Sequence, residues 1–238
     1  MKPADILASL FPAGHQVLIE AGRIHGQGPL PKGGSIQVLG VADGVELGVE
    51  DAAWLAGQVL SGHGDRQPIL LMIDSGSQRM SRRDELLGLS EYLAHLAKAL
   101  QLAEAEGRRT VGLLYGHTAA GAFIATALAA GTLVALPGAE PEVMDLPSMS
   151  RVTKLPLAEL KKMAMATPVF APGLDNLFAT GAVAKIWDPA QPLDRQLAEL
   201  LAEPVEGDRR DVVGRERGGR SKAAEIASRV FDLACAGA

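Results

Sequence analysis

The sequence predicts an α/β fold, and three observations predict it. Ile69–Ile73 (ILLMI) and Val111–Tyr115 (VGLLY) are short unbroken apolar runs, the pattern of strands covered on both faces. Around them lie segments with apolar residues at helical spacing, most clearly Ser81–Leu100. Helix and strand signals alternate along the chain, which implies parallel strands joined by right-handed crossovers.

Taken in order, Gln16–Ile19 and Ser35–Val41 read as strands. The Gly- and Pro-rich stretch GRIHGQGPLPKGG joins them as a hairpin or a crossed pair. Gly48–Leu60 reads as a helix, with Glu50 and Asp51 early and an apolar face after them. Ile69–Ile73 ends in Asp74-Ser75-Gly76-Ser77, a turn composition. In Ser81–Leu100, Asp84 and Glu85 mark the first turns, and Leu86, Leu87, Leu89, Tyr92, Leu93 and Leu96 form the apolar face. The strand Thr110–Tyr115 runs into a turn, Gly116-His117-Thr118, and a helix opens at Ala119-Ala120-Gly121-Ala122. Thr132–Leu136 is the next strand. PGAEPEVMDLPSMSRVTKLP then reads as a long connection with four prolines, of the kind that serves function or an interface. Leu157–Met165 is a helix, FAPGLDN a turn, Ala182–Trp187 a last short strand and Gln196–Leu201 a helix. Residues 206–221 form a charged, Gly-rich linker expected to be mobile, and residues 222–238 a terminal helix with Ala223, Ile226, Val230 and Leu233 on one side.

Composition bounds the function. With 238 residues the chain is long enough for one large domain with a sizeable core, built mainly from Ala, Leu, Val and Ile because aromatics make up only 4%. A net charge of −5 argues against a general nucleic-acid binder. The single cysteine, Cys235, forms no internal disulfide, which fits a reducing, cytoplasmic setting. The N-terminus has Asp5 early and no long apolar stretch, so it does not read as a signal peptide. Val111–Ala139 contains no Asp, Glu, Lys or Arg and is long enough to cross a bilayer. Ala, Gly and Thr dominate it and no aromatic belt flanks it, so a strand, a buried helix and a second strand explain it better than a membrane span.

Two strand-to-helix turns carry the chemical signal, Asp74-Ser75-Gly76 and Gly116–Ala122. Small residues there leave backbone N–H groups open, with the positive end of a helix dipole behind them. Such amides stabilise a carboxylate or a developing enolate, and removing one donor costs about 3 kcal/mol of transition-state stabilisation. The same glycines, Gly76 and Gly121, equally serve a turn and a close helix–strand contact. His117 lies in the second turn as a proton donor, a carboxylate-positioning group or a structural residue. Ser75 lacks the Gly-x-Ser-x-Gly surroundings of a nucleophile and reads better as a turn cap. His15, His25, His63 and His95 show no metal-ligand spacing, and no metal is expected. Arg79, Arg82 and Arg83 read either as contacts for the phosphates of a thioester carrier or as a solvated helix start. Arg151 and Lys154 face a partner, a carboxylate or solvent.

Ile73-Asp74-Ser75-Gly76, the long helix after it and YGHTAAGAFIA resemble the carboxyltransferase branch of the crotonase superfamily. There an Asp-containing turn, an amphipathic helix, a strand and a turn ending in Gly-Gly-Ala follow one another. The run LLMIDSGSQRMSRRDELLGLSEYLAHL, with LPGAEPEVMDLPSMSRVTKLP and PVFAPG, is similar to the malonate decarboxylase gamma-subunit family, over roughly residues 10–200.

The resemblance implies a crotonase-like β-spiral (Clp protease/crotonase fold) with flanking helices, occupying residues 1–205. It implies a malonate decarboxylase beta subunit of similar fold as partner, with an acyltransferase subunit admissible beside it. It also implies decarboxylation of a malonyl thioester to an acetyl thioester and carbon dioxide. No cofactor is expected on this chain, because the substrate would be carried on the prosthetic group of a separate acyl carrier protein. The resemblance places the carboxyl-side oxyanion hole on the amides of Gly121 and Ala122, with Ala120 standing where the pattern has Gly. Ser75, Gly76, Gly116, Thr118 and Arg151 are the expected substrate neighbours. A subunit that passes the carboxyl group to biotin has the same oxyanion requirement; the other readings are a non-catalytic scaffold that only buttresses its partner and a hydrolase or isomerase of the same fold acting on an acyl thioester.

Overall fold

A computed structural model describes residues 1–62, 64, 66–168, 171–204 and 207–236. The chain divides into two units, Met1–Val143 with Lys185–Pro204, and Met144–Ala184 with Val205–Ala238. The elements begin with α1 (Pro3–Leu10), β1 (Leu18–Glu20), β2 (Arg23–Pro29), β3 (Ser35–Leu47) and α2 (Val49–Ser61). Next come β4 (Ile69–Gln78), α3 (Arg82–Leu86), α4 (Leu89–Ala105), β5 (Thr110–Leu114), β6 (His117–Ala119) and α5 (Ala120–Ala125). After β7 (Thr132–Ala135) and β8 (Glu140–Glu142), the second unit contributes α6 (Leu146–Thr153), α7 (Leu157–Ala166) and α8 (Leu174–Ala179). The chain returns to the first unit for β9 (Lys185–Ile186) and α9 (Leu193–Ala202), and ends with α10 (Arg210–Glu216) and α11 (Ala223–Ala236) in the second.

Among the described residues the first unit holds a seven-stranded sheet in the order β1-β2-β3-β4-β5-β7-β9. The first three strands are antiparallel and the rest are parallel. Alternation along β4 decides what each side chain does. Leu70 and Met72 join Val111, Leu113 and Val134 in a core shared with Ile6 and Leu10 of α1 and Leu193 and Leu197 of α9. Ile69, Leu71 and Ile73, equally buried, face the other way. Each such side chain contributes about 1.5–3 kcal/mol by leaving water. Helices α2 and α4 pack on one another, with Leu55, Val59, Leu96 and Leu100 buried.

After the central strands the chain repeats one step. It lays a strand in the main sheet, one in a two-stranded parallel sheet, and then a helix: β5–β6–α5, then β7–β8–α6. Repetition of that step winds the chain into a spiral, as expected. The charge-free run Val111–Ala139 is consumed by β5, β6, α5 and β7. Among the described residues no helix is long and apolar enough to cross a membrane.

Several local expectations are corrected. The Gly- and Pro-rich stretch read as joining two strands in a hairpin or a crossed pair itself contains a strand, β2, which pairs with both β1 and β3. Asp74-Ser75-Gly76-Ser77 is not a turn: β4 continues to Gln78. Its neighbour β3 also runs on past a bulge, where Asp43 and Gly44 take left-handed backbone, so that Ser75 pairs with Val45 and Gln78 with Leu47. Ladder partners override the turn preference of the side chains. Gly116-His117-Thr118 is not a simple turn either, because His117 and Thr118 pair with Glu140 and Pro141 in the second sheet. The long helix Ser81–Leu100 is two helices. The α3 helix is capped by Ser81, whose Oγ accepts from Asp84 N at 3.1 Å, and Gly88 in left-handed conformation separates it from α4. The proline-rich connection carries β8 and α6, the latter capped by Asp145 Oδ1 accepting from Ser148 N at 2.7 Å.

Within the second unit, α6 packs on α7 and α10 on α11. The 206–221 segment, expected as a linker, contains α10. The guanidinium of Arg217 lies 3.7 Å from the centre of the Phe178 ring and donates to the carbonyls of Phe178, Val183 and Ala184. Of the predicted FAPGLDN turn, Phe170 lies outside the described residues, and so does His63.

Candidate active site

Strands β4 and β5 lie side by side and point the same way, so the chain leaving β5 emerges beside the end of β4. Tyr115 N donates to Ile73 O at 3.2 Å, and three further hydrogen bonds then tie the two segments. His117 N donates to Asp74 Oδ1 at 3.1 Å, the hydroxyls of Ser75 and Thr118 meet at 2.8 Å, and Gly121 N donates to Gln78 Oε1 at 2.7 Å. All three link residues 43 apart in the sequence. That separation is two more than in the β4–β5 ladder, where Ile73 pairs with Leu114, and the extra residues are Tyr115 and Gly116. The seam is therefore a second ladder, stitched largely by side chains.

Each stitch has a physical cause. At Gly116 a Cβ would stand 2.2 Å from Asp74 Oδ1, so only glycine lets the carboxylate pass to the His117 amide. Tyr115 O–H donates to Val41 O at 3.1 Å. Burial, reinforced by the charges of Asp74 and Asp43, pushes its pKa far above the ordinary phenol value, so it stays a neutral donor. Ser75 and Thr118 are both fully buried and satisfy one another.

The corner between β6 and α5 is made by one residue. Ala119 is extended, and Ala120 adopts φ 51°, the left-handed region that disfavours side chains by about 1–2 kcal/mol. This is the position where the resembling pattern has glycine. The reversal at Ala120 aims Gly121 N–H back at β4 rather than along α5. A Cβ at Gly121 would lie 3.1 Å from Gln78 Oε1 and 3.2 Å from Leu93 Cδ1. Ala122, fully buried, follows in the first helical turn, whose N–H groups have no intrahelical acceptor.

The structure thus brings together Ser75, Gly116, His117, Thr118, Ala120, Gly121 and Ala122. Gly76 opens no helix. It sits inside β4, and its missing side chain faces Gly44 O and Glu46 of β3. Ser75 caps no turn and acts as a buried cross-link. Arg151 is exposed on α6 in the second unit, where its Nη2 donates to Ser148 Oγ at 2.8 Å. Arg79 and Arg83, read as phosphate contacts or solvated charges, are taken up by acids of this chain. Arg79 Nη2 lies 2.9 Å from Asp51 Oδ2 and Nη1 3.6 Å from Glu50, while Arg83 pairs with Glu50 and Asp84. Arg82 is exposed. The Ser81 hydroxyl, the Val49 N–H and these arginines hold the Asp84 carboxyl below its usual range.

Sequence reasoning assigned no role to Gln78 and saw Asp74 only as a turn former. Both matter because β4 continues as a strand, and no local pattern announces that. Among the described residues no group of three or more His, Cys, Asp or Glu is placed to hold a metal ion.

Known proteins resemble this chain in sequence and in fold. A family model described as malonate decarboxylase gamma subunit matches residues 42–234. A Malonomonas rubra protein described as malonyl-S-ACP:biotin-protein carboxyltransferase MADD is 26% identical over 170 residues, 66% of this chain; the match covers 58% of that protein's length. The Pseudomonas malonate decarboxylase hetero-tetramer solved with coenzyme A contains a chain that superposes with TM-score 0.78 at 25% identity, covering 98% of both chains. The Pseudomonas MdcD-MdcE hetero-dimer gives 0.74 at 25% identity, over 98% of this chain and 99% of that one. The spiral sheet with its helices is the crotonase fold of carboxyltransferases, and with a family match across most of its length this chain belongs to the malonate decarboxylase gamma-subunit family.

Proposed function

We propose that this chain acts with a beta subunit of similar fold to decarboxylate a malonyl thioester carried on a separate acyl carrier protein, without a cofactor of its own. The observation that carries the reading is the left-handed corner at Ala120, which turns the Gly121 amide out of the helix axis in a chain of this family. The assembly named for the Pseudomonas MdcD-MdcE relative supports a beta partner. The carrier named for the Malonomonas relative supports a malonyl thioester on an acyl carrier protein.

Decarboxylation needs no nucleophile. The carboxylate must be held out of the plane of the thioester so that the breaking C–C bond overlaps its carbonyl. In this reading Gly121 and Ala122 N–H hold the carboxylate, and the partner supplies donors for the thioester oxygen. The electrons of the C–C bond pass to that oxygen as an enolate, and carbon dioxide leaves. A proton then closes the α-carbon, delivered by His117. Ser75 and Thr118 fix the strand that presents the amides.

Gly121→Val tests the assignment. The larger side chain meets Gln78 and Leu93 at once, and decarboxylation by the assembled complex is expected to fall about a hundredfold or more. Full activity in a folded Gly121→Val complex would sink the reading. Turnover that avidin abolishes would assign the chemistry to carboxyl transfer onto biotin instead.

A further inference from the structure

Of the three stitches between β4 and the 117–121 segment, two involve groups with little freedom. Asp74 is wedged against Gly116, and the Ser75–Thr118 pair is fully buried. The third differs. Gln78 is half-exposed, reaches Gly121 N through a long flexible side chain, and presents a carbonyl oxygen at 2.7 Å. Its backbone is fixed. Gln78 pairs with Leu47, and the next residue, Arg79, donates its N–H to Leu47 O at 2.8 Å while its guanidinium is clamped by Asp51. Side-chain rotation alone is enough to withdraw the oxygen.

The geometry points to Gln78 as an internal placeholder, an inference that rests on the reading of Gly121 as a substrate-binding amide. In the unliganded protein the carboxamide oxygen occupies the Gly121 N–H and keeps the left-handed corner at Ala120 in its working conformation. A malonyl carboxylate displaces it, because a charged acceptor forms a bond roughly twice as strong as a neutral one. The acetyl product has lost that carboxylate and offers no anion, so Gln78 returns and the product leaves. Gln78 is thus a positioning residue that contends with the acidic acyl group for the Gly121 amide and reclaims it once that charge is lost.

The test uses the intact complex and two probes that are not turned over, malonyl- and acetyl-amino-pantetheine, with an amide nitrogen in place of the thioester sulfur. Calorimetry on the Gln78→Ala complex is expected to show about fivefold tighter binding of the malonyl probe. The preference for malonyl over acetyl should grow by the same factor, because the acetyl probe does not contend with Gln78 for the amide. Gln78→Glu, which places a competing carboxylate at the same amide, is expected to weaken malonyl binding about tenfold. Effects of opposite sign from two substitutions at one position are not what a merely structural residue produces. If Gln78→Ala leaves malonyl binding unchanged while Gly121→Val abolishes it, the placeholder is wrong and the amide site stands. If Gly121→Val also leaves binding unchanged, the amide site is wrong and the placeholder goes with it.

Discussion

Gly116 and Asp74 occupy one space: a Cβ on Gly116 would stand 2.2 Å from the carboxylate oxygen that accepts the His117 amide. Gly116→Ala therefore forces Asp74 aside and strands the His117 N–H. The expected loss of stability is about 1–3 kcal/mol, with reduced activity because β6 carries the corner at Ala120. Urea unfolding of the purified chain measures the first. Unchanged stability would mean that Asp74 relaxes without cost.

Ala120→Gly removes the left-handed penalty of about 1–2 kcal/mol and adds an unfolded-state entropy cost of roughly 0.5–1 kcal/mol. The net expectation is a small gain in stability with activity retained. Ala120→Val puts a β-branched residue at φ 51° and is expected to destabilise and to inactivate together. Thermal unfolding of the pair checks both signs, and a destabilising Ala120→Gly would contradict the account of the corner.

The Ser75–Thr118 hydroxyl pair invites a double-mutant cycle. Ser75→Ala or Thr118→Val alone leaves a buried hydroxyl without its partner, whereas the double variant removes both. A coupling energy of about 1 kcal/mol is expected, with the double variant more stable than the singles predict. Simple additivity would show that the contact contributes little.

Arg108 is fully buried and donates to Val59 O at 2.7 Å, Gln67 O at 3.2 Å and Gln37 Oε1 at 2.7 Å, tying the end of α2 to the start of β4 and β5. Arg108→Met keeps much of the volume and abandons those acceptors. Each acceptor left buried without its donor is expected to cost about 1–3 kcal/mol, read by denaturation, with no direct effect on the site.

Acid should loosen the junction of α2 and α3. The Asp84 carboxyl is held below its ordinary value of 3.8 by Ser81, Val49 N–H, Arg79 and Arg83. A depressed folded-state pKa gives stability that is complete above the unfolded value and is lost as pH falls through the folded one. The contribution should therefore be intact at neutral pH and fade only below about pH 4. Asp84→Asn should flatten that limb of the stability–pH curve, and an unchanged acid limb would remove Asp84 from it.

What the sequence by itself determined was the central scaffold. Ile69–Ile73, Thr110–Leu114 and Thr132–Ala135 are apolar runs with too few polar side chains to face water, and the helices between them are periodic, so a parallel α/β sheet follows. The strand-to-helix junction within Gly116–Ala122 was also legible in its small residues, but its amides are not open as expected: His117 N–H is taken by Asp74 and Gly121 N–H by Gln78. Tertiary structure decided what Asp74-Ser75-Gly76 and His117-Thr118 do. Their local composition favours turns, and only pairing with β3, with one another and with the distant β8 turns them into strands. It also decided the place of Gln78. A contact spanning 43 residues depends on two strands ending in register, and register is a property of the assembled sheet that no local pattern encodes.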